Sequence, residues 1–282
     1  MIPNAMLLLF ASLVAACTDK EIAPPPRAPF DSIPTAATVL PLLKEVSGIA
    51  DSKTAPGHVW THQDRGNPPQ LHLIHYDGTV KKNIYIKGAR NRDWEDMALV
   101  GSDLYIADIG DNFKAFTEYT IYIMPEPALG IDTVYSFETI RFRYPDGAHD
   151  AEALLVDPTT KDIFIITKSD DPAAIYKLSF PYSTAEVNTA VKSGQLTYKG
   201  AVGAALSPDG KEIIVKTYFA LFHYIRAGAS IDAALQKKPA TLPYRIEPQG
   251  EAVTFANNNG GYFTLSEKGF ASSVSLNFYK RN

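Results

Sequence analysis

Residues 152–166 read Glu152-Ala153-Leu154-Leu155-Val156-Asp157-Pro158-Thr159-Thr160-Lys161-Asp162-Ile163-Phe164-Ile165-Ile166, two apolar runs of strand length around a polar reversal. Branched and aromatic side chains favour extended backbone and Asp-Pro-Thr-Thr favours a tight turn, so the stretch predicts a β-hairpin. The unit recurs on both sides. Its first strands begin at Ser47-Gly48-Ile49-Ala50, Glu95-Asp96-Met97-Ala98, Glu152-Ala153-Leu154-Leu155, Ala204-Ala205-Leu206-Ser207 and Glu251-Ala252-Val253-Thr254, at intervals of 48, 57, 52 and 47 residues. Each is followed by a turn and a second apolar run, such as Leu104-Tyr105-Ile106-Ala107 or Ile213-Ile214-Val215-Lys216. Short-stranded units that cannot bury both faces alone must stack on copies of themselves, which predicts an all-β fold, a β-propeller. Five blades are expected, or six if the long second unit hides another. The last unit, from Glu251 to Asn282, has room for only three strands. The N-terminal segment Ala37-Thr38-Val39-Leu40-Pro41-Leu42-Leu43 is expected to supply the fourth, closing the ring and removing a sheet edge.

The 282 residues are 45% hydrophobic, with 27 basic and 31 acidic side chains, a net charge of −4 and no basic run. That composition fits a folded domain and excludes a nucleic-acid surface. A single cysteine forms neither an intramolecular disulfide nor a multi-thiolate zinc site.

That cysteine closes the segment Leu13-Val14-Ala15-Ala16-Cys17, which resembles the lipobox of bacterial lipoproteins. Residues 1–16 carry no charged side chain, and the apolar run is too short to span a bilayer. The expected organisation is a lipoprotein signal peptide over 1–16, a lipidated Cys17 with a proline-rich tether over 17–34, and one propeller over 35–282. It implies a lipid-anchored protein of the bacterial cell envelope, periplasmic or surface-exposed. One departure from the lipoprotein pattern is the absence of Lys or Arg before the apolar run.

In an up-and-down blade, the start of the first strand and the end of the second lie on one face of the disk. This geometry gathers Asp93, Glu95, Asp96, His149, Asp150, Glu152, Glu247 and Glu251 with His62, Asp64, Asp108, Asp111, Lys168, Lys216 and Glu267 around one mouth of the channel. Carboxylates so close together raise one another's pKa or recruit a cation. Asp93, Glu95, Asp108, Asp111 and Asn112 are hard oxygen donors around a glycine turn and make calcium the expected metal. The alternative is that these acids cap turns and pair with Arg90, Arg92 or Lys168. Glu95, Glu152 and Glu251 converge as carboxyl candidates for hydrolysis, and His62 and His149 as general acid or base. Either histidine can equally be a hydrogen-bonded structural residue. Asp64, Lys168, Glu267 and Lys268 are the expected ligand contacts. Trp60 and Trp94 suit packing between blades or stacking on a sugar. No nucleophile elbow, phosphate loop or zinc-protease helix occurs.

The set Trp60-Thr61-His62-Gln63-Asp64-Arg65-Gly66, Asp93-Trp94-Glu95-Asp96-Met97-Ala98, Asp108-Ile109-Gly110-Asp111-Asn112, Asp150-Ala151-Glu152-Ala153-Leu154 and Thr167-Lys168 resembles exported bacterial lipoprotein propellers. They are similar to the esterase-like phytase and SdiA-regulated propeller families. The resemblance spans residues 46–170 and returns at Gly250-Glu251-Ala252. It implies a propeller, and calcium in related propellers supports a calcium-loaded mouth. A phytase would need more Lys and Arg there. The expected function is capture of a small-molecule, glycan or protein ligand at the acidic mouth; the alternative is metal-assisted hydrolysis of glycans or phosphoesters.

Overall fold

The computed structural model describes residues 29–282; the expected signal peptide over 1–16, Cys17 and the first part of the expected tether lie outside them. The chain enters with β1 (Thr35–Thr38). Blade 1 follows as β2 (Val46–Asp51), β3 (His58–Gln63), β4 (Gln70–His75) and β5 (Val80–Ile86). Blade 2 comprises β6 (Trp94–Val100), β7 (Asp103–Asp108), β8 (Tyr119–Pro125) and, after β9 (Thr133–Val134), β10 (Glu138–Arg143). Blade 3 is β11 (Ala151–Val156), β12 (Ile163–Thr167), β13 (Ala174–Leu178) and, after β14 (Asn188–Thr189), β15 (Val191–Gln195). Blade 4 holds β16 (Gly203–Leu206), β17 (Glu212–Lys216), β18 (Leu221–Ile225), the single-turn α1 (Ile231–Leu235) and β19 (Ala240–Leu242). The last strands are β20 (Gly250–Phe255), β21 (Gly261–Ser266) and β22 (Ser275–Lys280).

Five sheets result, one per blade, and the fold is a five-bladed β-propeller. The short strands β9 and β14 extend blades 1 and 2 in parallel, which absorbs the length of the second unit without a sixth blade. Blade 5 has the order β1-β22-β21-β20, so the N-terminal strand closes the ring as the sequence predicts. The closing strand lies earlier than expected: Thr35 to Thr38 pair with Phe278 to Ser275, and Val39 to Leu43 form a connection. Phe30, assigned by the sequence reading to the tether, is buried and bridges Arg281, so packed structure extends back to residue 30. Its ring meets Tyr262 edge-on at 4.9 Å.

Successive side chains on a strand point to opposite faces, and in a propeller both faces of a blade meet a neighbour. Each interface is accordingly one apolar cluster. Trp60 and Trp94 share the cluster between blades 1 and 2. Their indole N–H groups donate to Glu126 at 2.9 Å and to the Arg90 carbonyl at 2.8 Å, which makes both tryptophans packing residues. Among the described residues no helix is long and apolar enough to cross a membrane.

Candidate functional site

The innermost strands β2, β6, β11, β16 and β20 all start at the same face, called here the mouth. Four of them carry a register shift at the same place: between Val46 and Ile49, Trp94 and Asp96, Ala151 and Ala153, and Gly250 and Ala252. A bulge leaves one residue unpaired and re-aims its side chain. The residues so placed are Ser47 and Gly48, Glu95, Glu152 and Glu251. In blade 4 the pairing runs regularly, with Gly203 opposite Lys216 and Ala204 opposite Val215. Blade 4 therefore has no counterpart of the three glutamates: Gly203 pairs as Trp94, Ala151 and Gly250 do, and Ala204 matches Ala153, one residue off the frame suggested by sequence spacing.

Ser47 joins this ring. Its Oγ lies 3.3 Å from Oε2 of Glu95 and 3.2 Å from Oε2 of Glu251. One hydroxyl carries one proton, so it serves one carboxylate as donor at a time. Tyr218 donates its OH to Oε1 of Glu251 at 2.7 Å. Lys168, at the end of β12, donates Nζ to Oε1 of Glu152 and lies over the Tyr218 ring at 5.5 Å. Oε2 of Glu152 is buried with no hydrogen-bond partner. The three glutamates are 4%, 2% and 4% exposed, in chain order, so the ring is deep and narrow.

Burial raises the Glu95 carboxyl well above its ordinary pKa, and the neighbouring Glu152 and Glu251 raise it further. Glu152 is raised by burial and by Glu251, against the pull of Lys168. Glu251 is raised by burial although Tyr218, Lys168 and Ser47 stabilise its charge. Burial alone would lower Lys168, but Glu152 and its other neighbours outweigh that and hold its ammonium charged. Around the ring, burial and Glu251 with its neighbours push Glu267 up to about 8, and burial with Glu45 pushes Asp64 to about 7. The mouth is a desolvated site rich in carboxyls and short of cations.

Below the ring stands Asp96, where the equivalent residues of blades 3, 4 and 5 are Ala153, Ala204 and Ala252. An innermost strand has one unpaired edge, and its N–H groups need acceptors. Oδ2 of Asp96 accepts from Leu154 N at 2.8 Å and Ala204 N at 3.1 Å, and Oδ1 from Met97 N at 2.8 Å. One carboxyl thus joins three blades at the axis. Burial pushes its pKa up to about 8 despite these three donors. Past Asp96 the channel opens into a cavity of about 90 Å³ at the opposite face, walled by Met97, Leu99, Leu154, Val156, Leu206 and Phe255. Asp51, a polar residue of that wall, is held by Tyr76 OH at 2.6 Å and Asn257 N at 2.7 Å.

Of the calcium set expected from sequence, Asp93 and Glu95 both approach Gly110, whereas Asp108 and Asp111 are taken up by backbone donors. Oδ1 of Asp111 accepts from Ala115 N at 2.8 Å, and its Oδ2 from Phe116 N and Tyr119 OH, each at 2.9 Å. Asp111 is thus a loop cap. Oδ1 of Asp108 accepts from Asp93 N at 2.7 Å, and Asn112 is exposed. Among the described residues no group of three or more His, Cys, Asp or Glu side chains is arranged around a metal position. Of that set only Glu95, with Asp93 close to it, faces the ring. The turn-capping alternative describes Asp108 and Asp111.

Neither histidine stands in the ring. His62 is fully buried against Trp94, and burial lowers its pKa to about 4. His149 is held outside the ring by Asp170 at 2.6 Å, Asp146 at 3.1 Å and Tyr176 OH at 2.9 Å. Asp64 and Glu267 lie at the ring's edge, electrostatically linked to Glu251. Lys268 is half-buried, its backbone N–H bonded to the Lys44 carbonyl at 2.7 Å. Sequence reasoning missed Ser47 and Tyr218 as members of the site. Ser47 was visible as the polar residue at the glutamate position of the first repeat; Tyr218 enters only because its turn folds over the channel.

No protein family model matches the chain. No curated protein matches it. Among solved structures, a chain from a nidogen/laminin complex is similar at 11% identity over 79% of this chain and 72% of the other, with a TM-score of 0.49. A hydrazine synthase chain of Kuenenia stuttgartiensis is similar at 12% identity over 83% and 71%, with a TM-score of 0.43. Likeness at these values carries no functional argument.

Proposed function

We propose that this propeller is a ligand-binding module whose channel mouth captures a positively charged group, with Glu95, Glu152 and Glu251 as its binding ring. The carrying observation is the unpartnered, buried Oε2 of Glu152 beside two further carboxyls, the three being served by Lys168 and, at Glu251, by the charge of Lys216. An incoming cation supplies the charge that protons otherwise provide. Burial of all three glutamates favours an ion or an ammonium tip over a ring-sized glycan, which ranks binding above hydrolysis. Calcium is the inorganic form of the same reading, with the ring oxygens as donors in place of Asp108 and Asp111. Titration calorimetry with calcium chloride and with n-butylammonium tests it. Binding of at least one, lost in Glu152→Gln, is expected; no heat from either contradicts the reading.

The lipobox-like Leu13–Cys17 supports an anchored form in the bacterial envelope, kinship with exported lipoprotein propellers, and a tether from Cys17 to the ring. On that reading Cys17→Ser releases the protein from the membrane fraction; a variant that stays with the membranes refutes it.

A further inference from the structure

The mouth face carries a second feature that the ring does not use. Among the described residues five phenylalanines are exposed, and four of them, Phe113, Phe116, Phe219 and Phe270, stand in the turns that join second to third strands at this face. Arg92 covers Phe116, its guanidinium 4.0 Å from the ring centre. Phe113, Phe219 and Phe270 are 83%, 77% and 106% exposed. Each follows closely on a mouth residue: Phe113 on the loop cap Asp111, Phe219 on Tyr218, whose hydroxyl reaches Glu251, and Phe270 on Glu267. Single exposed apolar residues are ordinary, but large aromatics on three blades around one buried polar site mark an interaction surface.

We propose that the mouth face docks a protein partner through a basic loop, which inserts a lysine or arginine side chain into the carboxyl ring and seats its flanking apolar residues on Phe113, Phe219 and Phe270. The inference rests on the cation-binding reading of the ring and adds the class of ligand. Charge complementarity selects the partner: Asp64, Glu95, Glu152, Glu251 and Glu267 at one mouth disfavour an anionic surface and favour a basic one. The spread of the three aromatics over blades 2, 4 and 5 demands a ligand broader than a free amine. Buried aromatic contacts around a central charged anchor are the usual arrangement of a protein interface.

The test compares the capped peptide Leu-Phe-Gly-Lys-Gly-Phe-Leu, the same peptide with norleucine for lysine, and n-butylammonium, by calorimetry on the full-length protein. The lysine peptide is expected to bind at least about tenfold tighter than either of the others. The combined variant Phe113→Ser, Phe219→Ser, Phe270→Ser removes that advantage while n-butylammonium binding and the melting temperature stay unchanged. A lysine peptide no tighter than n-butylammonium, or one indifferent to the triple variant, overturns the docking surface and leaves the ring intact. Equal binding of the two peptides overturns it as well. Phenylalanine-dependent binding to phosphatidylcholine vesicles reassigns the rim to lipid and overturns the protein partner. Failure of both n-butylammonium and calcium overturns the ring reading itself.

Discussion

Titrating side chains in this channel pull stability in two directions, and their balance fixes how the fold responds to pH. Burial raises Asp108 to about 6, Asp64 to about 7, and Asp96 and Glu267 to about 8. A carboxyl with a raised native pKa holds a proton that the unfolded chain has released. Its contribution is full below the ordinary carboxylate range and is lost as pH rises through 6 to 8. His62 acts oppositely: held neutral by burial with a pKa of about 4, it stabilises above its ordinary 6.5 and ceases to do so as pH falls toward 4. Asp170 and Glu212, lowered by their ion-pair and hydrogen-bond partners against the effect of burial, add losses below the ordinary carboxylate range. Lys216, lowered to about 8 by burial, contributes a slope only above that pH. The raised carboxyls outnumber His62 over the interval above the ordinary carboxylate range, so the melting temperature is expected to be highest at about pH 4 and to fall from there toward 8, with further loss in stronger acid. A melting temperature that climbs steadily from pH 6 to 8 contradicts the desolvated ring.

At the scale of strands, the site is made by a repeated irregularity. Each bulge turns an innermost strand so that its unpaired residue faces the axis, which is why a glutamate inside an apolar run, as in Glu152-Ala153-Leu154-Leu155, does not disrupt its hairpin. Where strands approach most closely, glycine replaces a side chain. A Cβ on Gly203 would stand 2.3 Å from the Glu251 carbonyl oxygen, and one on Gly48 would stand 2.7 Å from Met97 N. Gly203→Ala is expected to cost about 1–3 kcal/mol, read as a lowered midpoint in urea, with loss of cation binding because the clash falls on Glu251 itself. An unchanged midpoint with intact binding contradicts this placement.

For the whole molecule, the ring of five blades and its N-terminal closure were legible because hairpin periodicity and turn chemistry are local. The mouth was legible because strand direction in a blade dictates which residues share a face. What escaped the sequence depends on backbone accidents that side-chain types do not encode. Asp111 reads as a metal ligand by its neighbours, yet the loop folds three donors onto it. Asp96 reads as one acid among several, yet it reaches the free edges of two other blades. His62 reads as a mouth residue, but strand alternation turns it into the interface with blade 2. The one-residue frame error in blade 4 has the same origin, since a missing bulge is invisible in composition.

The central claim is that the Glu95, Glu152 and Glu251 ring is short of positive charge and holds protons until a cation replaces them. The most direct measurement is the number of protons released when n-butylammonium binds at pH 7, obtained from calorimetry in two buffers of different ionisation enthalpy. The account predicts net proton release for the native protein and a sharp reduction in Glu251→Gln. Binding heats that are the same in both buffers, or net proton uptake, would contradict it.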